Sequence, residues 1–349
     1  MRVEYPVRVV QYGVGPIGLA TVEHILRKEK TGRIKLVGAI DVDPAKVGKD
    51  VAELLGRSAA SGVVVSDDAA GTLGRLKPDV VLHTTSSFLD SMSEQLIECA
   101  EAGCNVVSSA EELSYPYDRH PDIARQIHDA AVRGGVTVVG TGVNPGYAMD
   151  SLALMATGVC ADVTEVHVGR VVDAGRRRRP LQAKVGAGIT AEEFAQRKAT
   201  GTFGHIGLRE SLLMVAAGLG WSLDEIDETL EPVLSDRQVL TDYFTVEKGS
   251  VAGIHHAIRG IVGGVDRITL SLQMYVGAQE PVDAVRVVGD PPIELRVDGG
   301  IFGDTATLAT LINTIPLAIE AEPGLKTTKD LPPVRAFATS PSAVLEGTA

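Results

Sequence analysis

Apolar and polar positions along the first 150 residues fall into a repeating rhythm. Short runs rich in valine and isoleucine occur at Val7–Tyr12, Ile34–Asp41, Val63–Ser66, Val80–His83, Cys104–Ser108 and Val136–Gly140. Each is short enough for a buried strand and carries little alternation, as strands covered on both faces do. Between them lie stretches with helical spacing. In Ile17–Lys30 the residues Ile17, Ala20, Thr21, His24 and Ile25 share one face, and further helices are predicted over Pro44–Leu55, Asp67–Leu76, Asp90–Ala102 and His120–Arg133. Strand and helix alternating in this way predict a parallel sheet flanked by helices, a Rossmann-type α/β domain.

The rhythm changes near Asp150. Leu152–Val159 reads as helix and Asp162–Asp173 alternates like a strand with one open face. Arg176–Pro180 reads as a solvated basic loop, and Ala191–Thr200 and Leu208–Leu219 as helices. Val251–Arg259, Asp266–Tyr275, Pro281–Val288 and Ile293–Val297 follow as successive strands. Consecutive strands with few helices predict a mostly antiparallel sheet in a second, α+β domain. The expected division is a dinucleotide-binding domain over 1–148, a substrate and dimerisation domain over 149–303, and an irregular tail over 322–349. A C-terminal helix near 304–321 is placed to pack back on the first domain.

Composition narrows the function. The chain has 349 residues, with 33 basic against 45 acidic side chains, a net charge of −12. Such a balance repels phosphate backbones, so no nucleic-acid partner is expected. No apolar run approaches a membrane span, and the first twelve residues have no apolar signal region. The three cysteines, Cys99, Cys104 and Cys160, form no CxxC pair, so neither a disulfide framework nor a cysteine zinc site is indicated. A cytoplasmic location is expected. No metal site is expected either: adjacent His255 and His256 on a strand point to opposite faces.

The clearest chemical signal is Gly13-Val14-Gly15-Pro16-Ile17-Gly18, which follows a predicted strand and opens a predicted helix. That context makes the GxGxxG pattern a dinucleotide cradle. Gly13 permits the tight turn, Gly15 the approach of a pyrophosphate, and Gly18 close packing of helix on strand. Pro16 suits the first helical turn, and the free N–H groups there, Ile17 among them, face the phosphates. Asp41 ends the next strand, 23 residues beyond Gly18. That is near the ~20 expected for an acidic partner of the adenosine ribose. Asp41 favours NAD(H), whereas nearby Lys46 and Lys49 leave NADP(H) open.

Two later strand ends line the same crevice. Thr85 and Ser86 follow one, Ser109 the other, and their hydroxyls are candidates for cofactor contact or for capping the next turn. Ser109 leads directly into Ala110-Glu111-Glu112, a pair of adjacent carboxylates of which one can act as acid/base. The loop Gly140–Tyr147, with Asn144 and Pro145 at its centre, is both a domain crossing and a candidate contact for the nicotinamide carboxamide. In the second domain, His205 sits in a glycine-flanked polar segment before an apolar helix.

Taken together, "VVQYGVGPIG", "DVDPAKVGKDVAELLG", "SSAEELSYP", "GTGVNPGYAMD" and "GHIGLRESL" resemble the native amine dehydrogenases and 2,4-diaminopentanoate dehydrogenases, whose N-terminal domain is related to that of dihydrodipicolinate reductase. The resemblance spans most of residues 7–320. It implies a homodimer and reversible, NAD- or NADP-dependent deamination of an amine to a ketone or aldehyde, with ammonia as co-substrate of the reverse reaction. It makes a glutamate of "AEEL" the catalytic acid/base, Glu111 first and Glu112 second. Asn144 is placed beside the nicotinamide, and Tyr147 and His205 on the substrate side. The segment His255–Gly260 lacks the lysine and PSGT part of a true dihydrodipicolinate reductase, which argues against that reaction. In the expected chemistry a carbonyl and ammonia condense to an iminium and hydride reduces it. The alternatives are a reductase or dehydrogenase of an amino acid, diamino acid or cyclic imine, whose carboxylate would need arginines such as Arg170 or Arg209, and a non-catalytic NAD(P)H sensor. A semialdehyde dehydrogenase with a cysteine nucleophile fits less well, since none of the cysteines occupies a crevice position.

Overall fold

The computed structural model describes residues 3–201 and 203–338. The chain divides into two compact units, one running to Gly142 and resuming at Asp304, the other Val143–Gly303.

In the first unit, β1 (Val7–Tyr12), β2 (Ile34–Ile40), β3 (Val65–Ser66), β4 (Val80–His83), β5 (Asn105–Ser108) and β6 (Thr137–Gly140) are joined through helices and pair parallel throughout. Their apolar residues face both ways. Val7, Val9, Leu82, Val107 and Val139 pack on one side, and Val10, Val81, Val106 and Val138 on the other. Two-sided burial is why these strands lack alternation. The carboxyl ends of β1 and β4 lie side by side at the centre of the sheet, where strand order reverses and a ligand crevice is expected.

The segment Pro44–Leu55 is not one helix. Only Val51–Leu54 is helical, and Pro44–Lys49 is turn. Asp43 accepts the Ala45 N–H at 2.9 Å, and Lys49 O and Gly48 N–H bond to Val65. Local side-chain bonding and pairing with β3 thus outcompete helix.

The second unit is a mixed sheet built from β7 (Asp162–Asp173), β8 (Glu225–Leu234), β11 (Val251–Val262), β12 (Val265–Tyr275), β13 (Val282–Asp290) and β14 (Ile293–Asp298). The two-residue strands β9 (Val239–Leu240) and β10 (Thr245–Val246) form a separate ladder. The large sheet runs β14-β13-β7-β12-β11-β8, antiparallel except where β7 meets β12. Alternate residues of β7, β11 and β12 bury Val166, Val168, Ile254, Ile258, Ile268 and Leu270 in a core with the helix Leu208–Gly218.

Three sequence expectations need correction here. β8 was not foreseen: Glu225–Leu234 is acidic and holds Pro232, so it does not read as a core strand. Its place at the sheet edge tolerates both features. The basic segment is not a solvated loop. Ala174–Arg176 is a 3-10 turn, a helix starts at Arg179, and Arg177 is buried with its guanidinium 5.3 Å from the Phe302 ring centroid. The tail after residue 322 is not wholly irregular. After the helix Gly303–Glu320, β15 (Gly324–Lys326) pairs parallel with β6 as the seventh strand of the first sheet. The same helix inserts Leu311, Ile312 and Ile315 into the core beneath β1.

Candidate active site

The glycine turn joins β1 to the helix Pro16–Lys28. Gly13 has φ +86°, and its carbonyl receives the Thr84 hydroxyl at 2.8 Å and Gln11 Nε2 at 3.0 Å. A Cβ on Gly18 would lie 1.9 Å from that same carbonyl oxygen, so helix and strand approach as closely as backbone permits. Gly15 differs: a Cβ there would meet nothing within 4 Å. Open space at the second glycine, with the Ile17 and Gly18 N–H groups given no acceptor among the described residues, is the cradle a pyrophosphate requires. The residues therefore fit a bound dinucleotide. Pro16 occupies the first helical turn.

Asp41 lies just past β2. Its Oδ2 accepts the Val14 N–H at 2.7 Å and Lys46 Nζ at 3.2 Å, and its Oδ1 the Asp43 N–H at 2.9 Å. Burial works to raise its pKa, but these donors outweigh it and hold the carboxyl below the usual range.

The ends of β4 and β5 are tied by His83, which is fully buried. Nε2 meets Gln95 Oε1 at 2.9 Å and Nδ1 meets the Ser108 hydroxyl at 3.2 Å. Gln95 Oε1 also accepts the Thr85 hydroxyl at 2.9 Å, so the ring proton sits on Nε2. Burial pushes the imidazole down to about 4 and keeps it neutral. Ser86 caps the next turn by accepting the Phe88 N–H at 3.1 Å. The Thr85 and Ser86 hydroxyls thus already serve the protein. The Ser109 hydroxyl, half-buried, has no partner among the described residues. Thr84 belongs to the strand end expected to line the crevice, whereas Gln11, His83 and Gln95 carry no sequence motif that marks them. The available signal was polar residues within or just after otherwise apolar strands.

The adjacent glutamates are treated differently by the fold. Glu112 is 6% exposed, and its Oε2 accepts the Leu89 N–H at 2.8 Å. His120 Nε2 lies 3.1 Å from the same oxygen, off the line of a hydrogen bond. Glu112 therefore clamps the loop after β4. Glu111 is half-buried, and its carboxylate has no hydrogen bond or ion pair among the described residues. The turn carrying both rests on the end of β6, where a Cβ on Gly140 would strike the Leu113 backbone at 2.6 Å.

In the second unit the loop after Gly142 holds a cis Asn144–Pro145 bond. Asn144 Nδ2 approaches Met149 Sδ at 3.3 Å, while its buried Oδ1 has no hydrogen-bond partner among the described residues. The loop is fixed by Asp150, fully buried, which accepts from the Gly146 N–H, the Ser151 N–H and the Ser211 hydroxyl at 2.7, 2.5 and 2.8 Å. Burial raises its pKa despite these donors. Tyr147 is half-buried on the same loop.

His205 is neutral, pushed well below its ordinary pKa by burial and by the charges of Lys184, His256 and Arg170. Its Nε2 and His256 Nδ1 are buried without hydrogen-bond partners among the described residues. The next residue back, Gly204, packs on Leu230, the cross-strand neighbour of His256. His255 and His256 do point apart, to Ser271 at 3.0 Å and Glu228 at 2.8 Å. Arg170 is spent inside the fold, on Asp283 at 2.5 Å and the Ile301 carbonyl at 2.8 Å. Cys99 and Cys104 are buried. Burial, ahead of neighbouring charges, lifts both thiols, Cys104 to about 11, so neither is a poised nucleophile.

A parallel sheet with a glycine-turn cradle at its switch point, followed by a mixed-sheet unit, defines a dinucleotide-dependent oxidoreductase of the Rossmann type. Comparison with known proteins narrows this. Residues 147–346 match the family model of the 2,4-diaminopentanoate dehydrogenase C-terminal domain. The chain is 32% identical over 343 residues to 2,4-diaminopentanoate dehydrogenase of Acetoanaerobium sticklandii, covering 95% of each. It is 27% identical to an amine dehydrogenase of Streptomyces virginiae, covering 93% of this chain and 96% of that one. The structure of amine dehydrogenase from Mycobacterium smegmatis superposes with a TM-score of 0.83 at 26% identity, over 96% and 98% of the two chains. The chain belongs to the 2,4-diaminopentanoate dehydrogenase family. It is an NAD(P)-dependent oxidoreductase acting on amines. Among the described residues no helix is long and apolar enough to cross a membrane.

Proposed function

We propose that Glu111 is the acid/base of a reversible amine deamination, and that Glu112 positions it. The supporting observation is the contrast between the two carboxylates: Glu112 is committed to the Leu89 N–H, whereas Glu111 is uncommitted. In the amination direction Glu111 takes a proton from ammonium, returns it to the carbinolamine hydroxyl as water leaves, and, negative again, stabilises the iminium. The nicotinamide, when bound, supplies the hydride. Ile17 and Gly18 N–H groups hold the diphosphate, Ser109 offers a hydroxyl to the nicotinamide ribose, and Asn144 Oδ1 is a ready acceptor for the carboxamide N–H. Tyr147 and His205 are the second unit's candidates for substrate contact. A neutral His205 adds no charge to repel a cationic iminium. Ammonia as second substrate and a homodimeric assembly belong to the same reading and rest on family membership.

Amines without a carboxylate are the preferred substrates on this reading. Arg170, one of the two arginines the sequence offers a carboxylate, already has its guanidinium on Asp283 and Ile301. An amino or diamino acid would need another cation. Arg209 and exposed Lys184, whose charge reaches His205, are candidates.

The test is a pair of isosteric variants assayed with ammonia and plain ketones or aldehydes, and with 2-oxo acids. Glu111→Gln should cut turnover roughly 10²–10⁴-fold with cofactor affinity and thermal midpoint unchanged. Glu112→Gln should change turnover far less. The reverse pattern would exchange the two roles, and full activity in both would remove the mechanism.

A further inference from the structure

We propose that this chain binds NAD(H) more tightly than NADP(H), and that Asp43 and Lys46, rather than Asp41, set the size of the preference. This rests on the glycine turn being the dinucleotide cradle. An acidic residue ending the second strand ordinarily offers its carboxylate to the ribose hydroxyls. Asp41 is largely occupied elsewhere. Oδ2 holds the Val14 N–H inside the glycine turn and also receives Lys46, while Oδ1 takes the Asp43 N–H. With two lone pairs per oxygen, one acceptor position remains, on Oδ1. It serves a single hydroxyl, not the diol. Asp41 is first a clasp that shapes the phosphate turn.

The groups further out then decide what the 2′ position meets. Lys46 Nζ lies 3.2 Å from Asp41 and 3.3 Å from Asp43, so one ammonium is shared by two carboxylates. The Asp43 side chain is 42% exposed, and Ala45 N–H bonds to its Oδ1. Lys49 leans toward Glu53, 3.9 Å away. The trio Asp41, Asp43 and Lys46 therefore carries one net negative charge. A ribose 2′-hydroxyl finds an acceptor on Asp41 and the third N–H of Lys46. A 2′-phosphate, with close to two negative charges, meets the same third N–H but finds net repulsion from a trio whose one cation is shared by two carboxylates. Across several ångströms of water this repulsion corresponds to about a tenfold difference in affinity.

The readout is equilibrium binding. NADH and NADPH are titrated by nicotinamide fluorescence, and 5′-ADP against 2′,5′-ADP by calorimetry, at low and high salt. The wild type should prefer NADH and 5′-ADP by about tenfold at low salt, and less at high salt as screening increases. Asp43→Asn should narrow the preference at least threefold. Lys46→Gln, which removes the only cation of the trio, should widen it by a similar factor. Equal or tighter binding of NADPH by the wild type, or a ratio that neither substitution moves, would overturn the proposal while leaving the cradle intact. Failure of both dinucleotides to bind would instead overturn the reading of the glycine turn, and the proposal with it.

Discussion

Acid should weaken the first unit through His83, and the size of the effect follows from its surroundings. The ring is fully buried and stays neutral, with Nε2–H directed to Gln95 and Nδ1 facing the Ser108 hydroxyl. Its folded pKa is about 4, against an ordinary 6.5. Between these values the unfolded chain binds a proton at this ring that the folded chain does not. A depressed folded pKa means the stabilisation is complete above pH 6.5 and is lost as pH falls toward 4. From pH 7.5 to 5 the loss is about 2 kcal/mol, rising to about 3 kcal/mol near pH 4. His24, half-buried and also lowered to about 4, acts with the same sign. The assay is urea unfolding of the wild type and His83→Gln at pH 7.5, 6 and 5. Glutamine can keep one of the two hydrogen bonds but cannot titrate. The variant should therefore start less stable and lose about 2 kcal/mol less over the range. If both proteins lose the same stability between pH 7.5 and 5, the buried neutral ring is not the cause of acid sensitivity.

Two further outcomes test the scaffold of the site. Gly18→Ala puts a Cβ 1.9 Å from the Gly13 carbonyl oxygen, backbone against backbone, so the turn must open. NADH affinity should fall at least about tenfold, the equivalent of ~1.4 kcal/mol, by fluorescence titration, and unaltered affinity would refute the close packing. Asp150→Ala strands the Gly146 N–H, the Ser151 N–H and the Ser211 hydroxyl in a dry interior, at a cost of about 3–6 kcal/mol in urea unfolding. Ser211→Ala, which removes one donor and leaves Asp150 those of Gly146 and Ser151, should cost no more than about 1–2 kcal/mol.

Much of the fold that carries the candidate site is legible in the sequence. Strands buried on both faces produce unbroken apolar runs, and a phosphate turn needs glycine at fixed spacing because no side chain fits. Both are local requirements, so they show in sequence. The edge strand β8 and the closing strand β15 did not show. Each is stabilised by pairing with a neighbour far away in the chain, and its own residues are acidic or few.

The glutamate pair draws the same boundary more finely. Residue order places two carboxylates after β5, and the family resemblance ranks but does not separate them. Their difference arises because the Leu89 N–H, contributed from after β4, comes to rest beside Glu112 and not beside Glu111. Likewise Arg170 reads as a free cation until β13 brings Asp283 against it, and Asp41 reads as a partner for the whole ribose diol until the Val14 and Asp43 N–H groups and Lys46 leave it one acceptor position. Sequence determined which chemical groups stand at the ends of the strands. Tertiary structure alone decided which of them are already spent on partners, because a hydrogen bond satisfied across 20 or 100 residues leaves no trace in local pattern.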